Sequence, residues 1–387
     1  MPSASSDDAI REALLRTLFA DRDEAWSRSP SGRQSLIEHV SLRYQQCLQI
    51  LMPWLEKHGS LAGAEVVEIG CGSGSSTAAF AGRVGHVHAY DINARAIDAA
   101  RERLRILGLA NATFHHVKPH ETALQVERNH AGVDLVVLYA VLEHQTVPER
   151  LATLRAGWEV LRPGGLLLVT DTPNRLCYRH FHTSDLPFFD MLPMELALPL
   201  TERSPRAEFR EGMRAALRIS QERATEVLAR WGTGVSHHEF EAVLGDLGPL
   251  VVGDGWEPEI LAHRPMRLEE ELLLAYFVRA GLDVPLGFAR VSLDLLLRKP
   301  DTGADAARSP GAEEAAARLR AIHERLRAAA LAPGALAGDG PPLPLEAAAA
   351  LADRSLNGRT LVRLAARKLG RKVGASLRLR RAGDGPV

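Results

Sequence analysis

Aromatic residues make up only 5% of this 387-residue chain. So thin a supply argues against a stacking platform for single-stranded nucleic acid, which needs successive aromatic faces. Cysteine is scarce as well. Cys47, Cys71 and Cys177 form no CxxC pair and no zinc spacing, and a sparse, odd set fits a reducing compartment. No stretch approaches roughly 18 uninterrupted apolar residues, so no membrane span is expected. Residues 1–24 carry early acids and only short apolar runs, which does not fit a secretory leader. A cytoplasmic location follows as the expectation. Net charge is also nearly absent, at −1, so the chain as a whole is not built to bind polyanions.

That neutrality hides an asymmetry. Between Arg354 and Arg381 there are ten Lys/Arg and no Asp/Glu, which leaves 37 basic against 48 acidic residues elsewhere, a net of −11. An acidic body with a basic tail is the natural reading. The rest of the composition is ordinary for a globular protein, with 46% hydrophobic and 25% charged residues. The length allows a core domain plus additions.

Periodicity organises the chain into three parts. Residues 8–58 show helical spacing at Ile10, Leu14, Leu15 and Leu18, then at Leu36, Val40, Tyr44, Leu48 and Leu51, with Pro30-Ser-Gly32 as the break. Residues 63–172 alternate short Val/Leu-rich strands with helical patterns, which implies a parallel sheet covered on both faces. Residues 173–235 lose that rhythm and read as an insertion over the sheet edge. It starts with a Pro-, His- and aromatic-rich stretch and continues into a polar helix over 207–230. Ser236 to Glu239 is a capping box. Two last strands are expected near 249–252 and 289–298, with a helical excursion over 255–285. The predicted organisation is therefore an N-terminal helical cap (1–60), a core domain (61–300) and a helical, partly disordered basic extension (301–387).

The chemistry concentrates at 66–77, VVEIGCGSGSST, a buried strand running into a glycine-rich loop. Gly70, Gly72 and Gly74, with Cys71 among them, let the backbone turn sharply and approach a ligand closely. Ser75, Ser76 and Thr77 offer an N-cap for the next helix, whose free N–H groups suit polar or anionic ligand atoms. This is neither GxGxxG nor the GxxxxGK[ST] phosphate loop. Asp91 ends the next strand, 17 residues beyond Gly74, where a carboxylate can accept two hydrogen bonds from a ribose diol.

The E-x-G-x-G-x-G run, the Asp91 position, the segment DLVVLYAVLEH and the later Leu161-Arg-Pro-Gly-Gly-Leu-Leu167 carry a resemblance. They resemble the Rossmann-like (class I) methyltransferases that use S-adenosylmethionine (SAM), in particular the broad small-molecule group with the ubiquinone-biosynthesis O-methyltransferases. The resemblance is strong over 60–175 and weak over 236–298. It implies a doubly wound α/β fold with a mostly parallel seven-stranded sheet, and SAM as methyl donor. It further implies that Glu68 and the backbone of Gly70 and Gly72 hold the methionine moiety. Asp91 would bind the ribose and Ile92 pack on adenine, while Tyr139 and Ala140 line the methionine side. Family members often have Gly-Asp at the adenine edge, where this chain has Val117-Lys118, so backbone groups over 116–118 are the expectation there.

A general base assists if the acceptor is a hydroxyl, and histidine suits that task near neutral pH. His144, just after the fourth strand, and His238, in the first turn of a helix, are the candidates. His180 and His182 read as loop histidines of the insertion, where Phe181, Leu186, Phe188, Phe189 and Met191 could wall an acceptor pocket. The preferred reading assigns no metal ligand. An alternative does. The small-RNA 3′-terminal 2′-O-methyltransferases bind a divalent cation through a Glu-x-x-Glu-His run and a later His, and this chain has Ala140-x-x-Glu143-His144, with the first Glu missing. A third reading is a non-catalytic SAM-fold scaffold in a biosynthetic complex. The expected partner is a small-molecule acceptor and not a nucleic acid, and the basic pattern of Val362, Ala365, Leu369 and Val373 among Arg and Lys could lie on an anionic membrane surface.

Overall fold

A computed structural model describes residues 4–301. The basic extension and its membrane pattern lie outside the described residues. Seven strands form one sheet: β1 (Glu65–Ile69), β2 (His86–Asp91), β3 (Ala112–His116), β4 (Val133–Tyr139), β5 (Leu161–Pro173), β6 (Val251–Gly253) and β7 (Ser292–Arg298). Their order is β3-β2-β1-β4-β5-β7-β6. The first five run parallel, and β7 pairs antiparallel with both β5 and β6. Apolar residues at successive positions, such as Val66-Val67, Val136-Val137 and Leu167-Leu168, are fully buried because helices cover both faces. Chain order reverses between β1 and β4. The crevice beyond their carboxyl ends is where such sheets bind ligands.

The N-terminal cap is helical over 30–56, with π-helical turns at Glu38–Leu42 and Cys47–Leu51. Each such turn adds a residue and rotates the apolar face. Cys47, Ile50, Trp54 and Leu55 are therefore buried, while Tyr44 and Leu48 are only partly so. The break between the first helices falls one residue before the expected site. Ser29 caps the helix Pro30–Ile37 by accepting the Gly32 N–H (3.0 Å), so Pro30 and Gly32 lie inside the first turn.

The insertion has a small core of its own. Phe189, Leu198, Phe209, Met213, Ala224 and Leu228 pack together. The polar helix expected over 207–230 is two helices, Ala207–Leu217 and Gln221–Trp231, because Ser220 caps the second by accepting the Arg223 N–H (3.0 Å). Of the expected pocket-wall residues, Phe189 is core, whereas Phe188 and Met191 are exposed. Among the described residues, no helix is long and apolar enough to cross a membrane.

Candidate active site

At the donor end, β1 feeds the glycine loop directly. A Cβ on Gly70 would lie 2.2 Å from Val141 Cγ2, so the loop packs against the segment after β4 only because that position is glycine. Gly72, at φ +52°, differs: nothing lies within 4 Å of where its Cβ would be, so the loop turns an open backbone face outward. Asp91 Oδ2 accepts the Gly72 N–H and Oδ1 the Asn93 N–H, both at 2.8 Å. Burial pushes the Asp91 carboxyl up from its ordinary value, and those two N–H bonds pull the other way. Ile92 beside it is 46% exposed, an apolar surface at the crevice rim.

One expectation needs correction here, that of the helix N-cap. Glu68 is fully buried, and its two oxygens accept the hydroxyls of Ser76 and Thr77. It pins the start of the helix Ser75–Ala81, and burial pushes its carboxyl up to about 7 against the pull of those two hydroxyls. The helix N-cap is accordingly Gly74, at φ 72°, and not one of the hydroxyl residues. At the adenine edge, the Val117 N–H bonds the Asp91 carbonyl (3.1 Å), so it is engaged in extending the sheet.

The N-terminal cap lies over this loop, which the sequence reading missed. His39 Nδ1 meets Ser73 Oγ (2.9 Å), and Ser75 Oγ donates to the His39 carbonyl (3.0 Å). Buried Arg103 donates to the carbonyls of Ser73, Val40 and His39. Further along the cap, Gln46 Oε1 accepts the Tyr139 hydroxyl (3.0 Å), and the Arg43 guanidinium stands 5.8 Å over the Tyr139 ring. Ala140 follows at φ 52°, a left-handed conformation that costs an alanine about 1–2 kcal/mol.

Beyond Ala140 the structure gathers Glu143, His144 and His182, with one donor atom of each within 4.8 Å of the others. Neither Glu143 oxygen has a hydrogen-bond partner, although the residue is fully buried, and burial pushes its carboxyl up to about 8. His144 Nδ1 lies 3.0 Å from the Arg230 carbonyl and Nε2 lies 3.8 Å from Glu143 Oε1. A carbonyl only accepts, so Nδ1 carries the proton and Nε2 keeps its lone pair toward the site. Burial holds His144 below the usual histidine value, and it lowers His182 to about 3, helped by the nearby charges of His144, His180, Arg206 and Arg43. Both shifts favour the neutral imidazole.

Arg150 holds this loop in place. Its buried guanidinium donates to the carbonyls of Leu142, Glu143, Gln145, Thr233 and Gly234 and to the Glu239 carboxylate (3.2 Å). It thereby ties the segment after β4 to the end of the insertion. The two candidate bases separate here. His144 sits in the buried cluster, whereas the His238 side chain is 84% exposed and bonds Glu241 Oε2 (2.9 Å). His238 is a surface residue of its helix's first turn.

A family model described as a methyltransferase domain matches residues 66–165, the stretch from β1 to the start of β5 that contains the loop, Asp91 and Glu143. Residues 66–165 thus carry a methyltransferase domain. The ubiquinone biosynthesis O-methyltransferase of Aromatoleum aromaticum is 35% identical over 148 residues, 38% of this chain and 57% of that protein. Its counterpart in Azoarcus sp. is 30% identical over 162 residues, 41% of this chain and 61% of that protein. Among solved structures, the magnesium protoporphyrin IX methyltransferase of Synechocystis PCC 6803 is 20% identical, with a TM-score of 0.31 over 44% of this chain and 68% of that one. The chain thus spans only about half the length of the first curated relatives it matches, 57% and 44%. The family model's match ends in β5, before the insertion that flanks the Glu143 cluster.

Proposed function

We propose that this protein transfers the methyl group of SAM to a hydroxyl of a small-molecule acceptor bound beside His144, at the carboxyl end of β4. The observation that carries the reading is the Asp91–Gly72 bond, which joins a carboxylate to an open glycine loop across the β1/β2 tips. Each Asp91 oxygen keeps a lone pair for a ribose hydroxyl. Ile92 offers the adenine a flat apolar contact, and the open face at Gly72 with Tyr139 and Ala140 borders the methionine end. Glu68 acts through the loop by fixing the helix behind it. SAM supplies the activated methyl when bound, so the protein's part is alignment and proton removal. His144 Nε2, neutral and facing the site, can take the acceptor's proton, a contribution of roughly 10²–10⁴-fold. Relatives named as O-methyltransferases support oxygen as the methylated atom.

A second reading of the acceptor end has its own observation, the unpartnered Glu143 carboxylate between two imidazoles. The donors fit a divalent cation, which would favour the ionised form of an acceptor hydroxyl. His144 is then a ligand and not the base. An RNA acceptor is disfavoured by the net charge of −11 outside 354–381.

Calorimetry with SAM on the purified full chain tests the donor half, and absence of binding would remove the enzyme reading in favour of a scaffold. Labelled SAM with a metabolite extract tests the acceptor half through the mass of the product.

A further inference from the structure

The sequence leaves one place vacant in the metal-binding run, at Ala140. The structure brings a different donor to the same cluster. We propose that Glu143, His144 and His182 form a site for a borderline divalent cation of the zinc type, with His182 of the insertion as its third ligand. The proposal concerns the acceptor end and rests on the second reading above.

Three independent features converge. The first is Glu143, whose two oxygens are buried without a partner; such a group calls for an ion or a water. The second is His144. Its Nδ1–H is taken by the Arg230 carbonyl, the outer-shell bond that orients a ligating imidazole and leaves Nε2 free. The third is His182, whose ring centroid lies 5.1 Å from that of His144 and which offers a nitrogen within 4.8 Å of the other two donors. Its position is enforced. Arg206 donates to the His182 carbonyl (2.6 Å) and the neighbouring Thr183 hydroxyl to the Trp231 carbonyl (2.8 Å). The ring lies against Gly232, where a Cβ would come within 2.4 Å of Cδ2 and 2.6 Å of Nε2.

Donor chemistry selects the ion. Magnesium and calcium take oxygen ligands, and a carboxylate run would suit them. Here two imidazoles join one carboxylate, the set that holds zinc in sites with an open position for substrate. With one carboxylate against two imidazole nitrogens, the set favours borderline over hard cations.

The test uses the full chain, stripped with chelator and dialysed against Zn²⁺, Co²⁺ or Mg²⁺. Metal is counted by mass spectrometry, and the Co²⁺ form is examined by visible absorption. One equivalent of Zn²⁺ or Co²⁺, with ligand-field bands of a low-coordinate ion and no retained Mg²⁺, is expected. His182→Ala should weaken Zn²⁺ binding by more than the ~10–100-fold that loss of an outer-shell partner costs. Its far-UV circular dichroism and SAM affinity, measured on the same sample, establish that it folds. Retained Mg²⁺, no bound metal, or zinc that is lost with His238→Ala but kept with His182→Ala overturns the proposal; the last outcome would place the ion on the surface trio His237, His238 and Glu241. SAM binding without zinc removes this site and leaves the methyltransferase reading. Zinc binding without SAM does the reverse.

Discussion

Asp91 Oδ2 accepts the Gly72 N–H at 2.8 Å, so the carboxylate closes the glycine loop and keeps lone pairs for the proposed ribose contact. Asp91→Ala removes both functions. SAM affinity should fall by about 1.5–3 kcal/mol, the scale of a hydrogen bond to a charged group. Titration calorimetry measures it, and a near-unchanged affinity would show that the ribose is held elsewhere.

Two glycines of the same loop should separate folding from binding. Gly70→Ala drives a Cβ to 2.2 Å from Val141 Cγ2 and should lower the melting temperature clearly. Gly72→Ala meets no atom and should cost only the left-handed strain, about 1–2 kcal/mol. Yet it places a methyl on the open face, so SAM binding should be lost. Melting curves and calorimetry on both variants check the contrast.

Local signals made the donor end readable. The glycine loop, Asp91 and the strand rhythm are short-range, and each has a fixed meaning in a parallel sheet. The sequence did not show that Ser76 and Thr77 would both bond the buried Glu68 carboxyl, which lies eight and nine residues before them. The acceptor end was illegible for another reason. His182 lies 38 residues beyond His144, and the glycine that makes room for its ring is 50 residues further on. The contact between Arg103 and the cap spans 63 residues. No periodicity encodes such meetings, and the two π-helical turns displaced the cap's inward face from the spacing of an ideal helix.

Arg150 should be the most costly single loss near the site. Arg150→Met leaves the Glu239 carboxylate and several carbonyls buried without their donor, which costs about 3–5 kcal/mol. Urea unfolding measures it. The variant should also lose more methyl transfer than SAM affinity, since Arg150 supports the Glu143 loop and not the glycine loop.

Acid should loosen the far edge of the sheet. His88 on β2, His115 on β3 and His130 lie together, with Tyr90 bonded to His130 Nε2 at 2.7 Å and Glu65 3.3 Å from His88. Burial first, then the charges of His88 and His115, lowers His130 to about 4. An unfolded histidine titrates near 6.5, at about the ordinary value. The folded state therefore binds fewer protons between those values. Its contribution is fully present above pH ~6.5 and is lost as pH falls toward 4. The melting temperature should drop across that window, and His130→Gln should flatten the drop.

Gly232 decides whether the insertion can deliver His182. At φ +113° it holds a conformation that an L side chain rarely adopts, and its missing Cβ is the space that the imidazole fills. Gly232→Ala must therefore push the ring away or shift the chain between Trp231 and Thr233. The chain is the firmer of the two. Thr233 N–H bonds the Glu143 carbonyl (3.0 Å), and Arg150 grips Thr233 and Gly234. The ring should yield, taking its nitrogen out of the cluster at a backbone cost of about 1–3 kcal/mol. Co²⁺ absorption should then weaken while SAM affinity, set by Asp91 and the loop, stays within twofold. An unchanged Co²⁺ spectrum would mean that His182 reaches the cluster without the Gly232 slot.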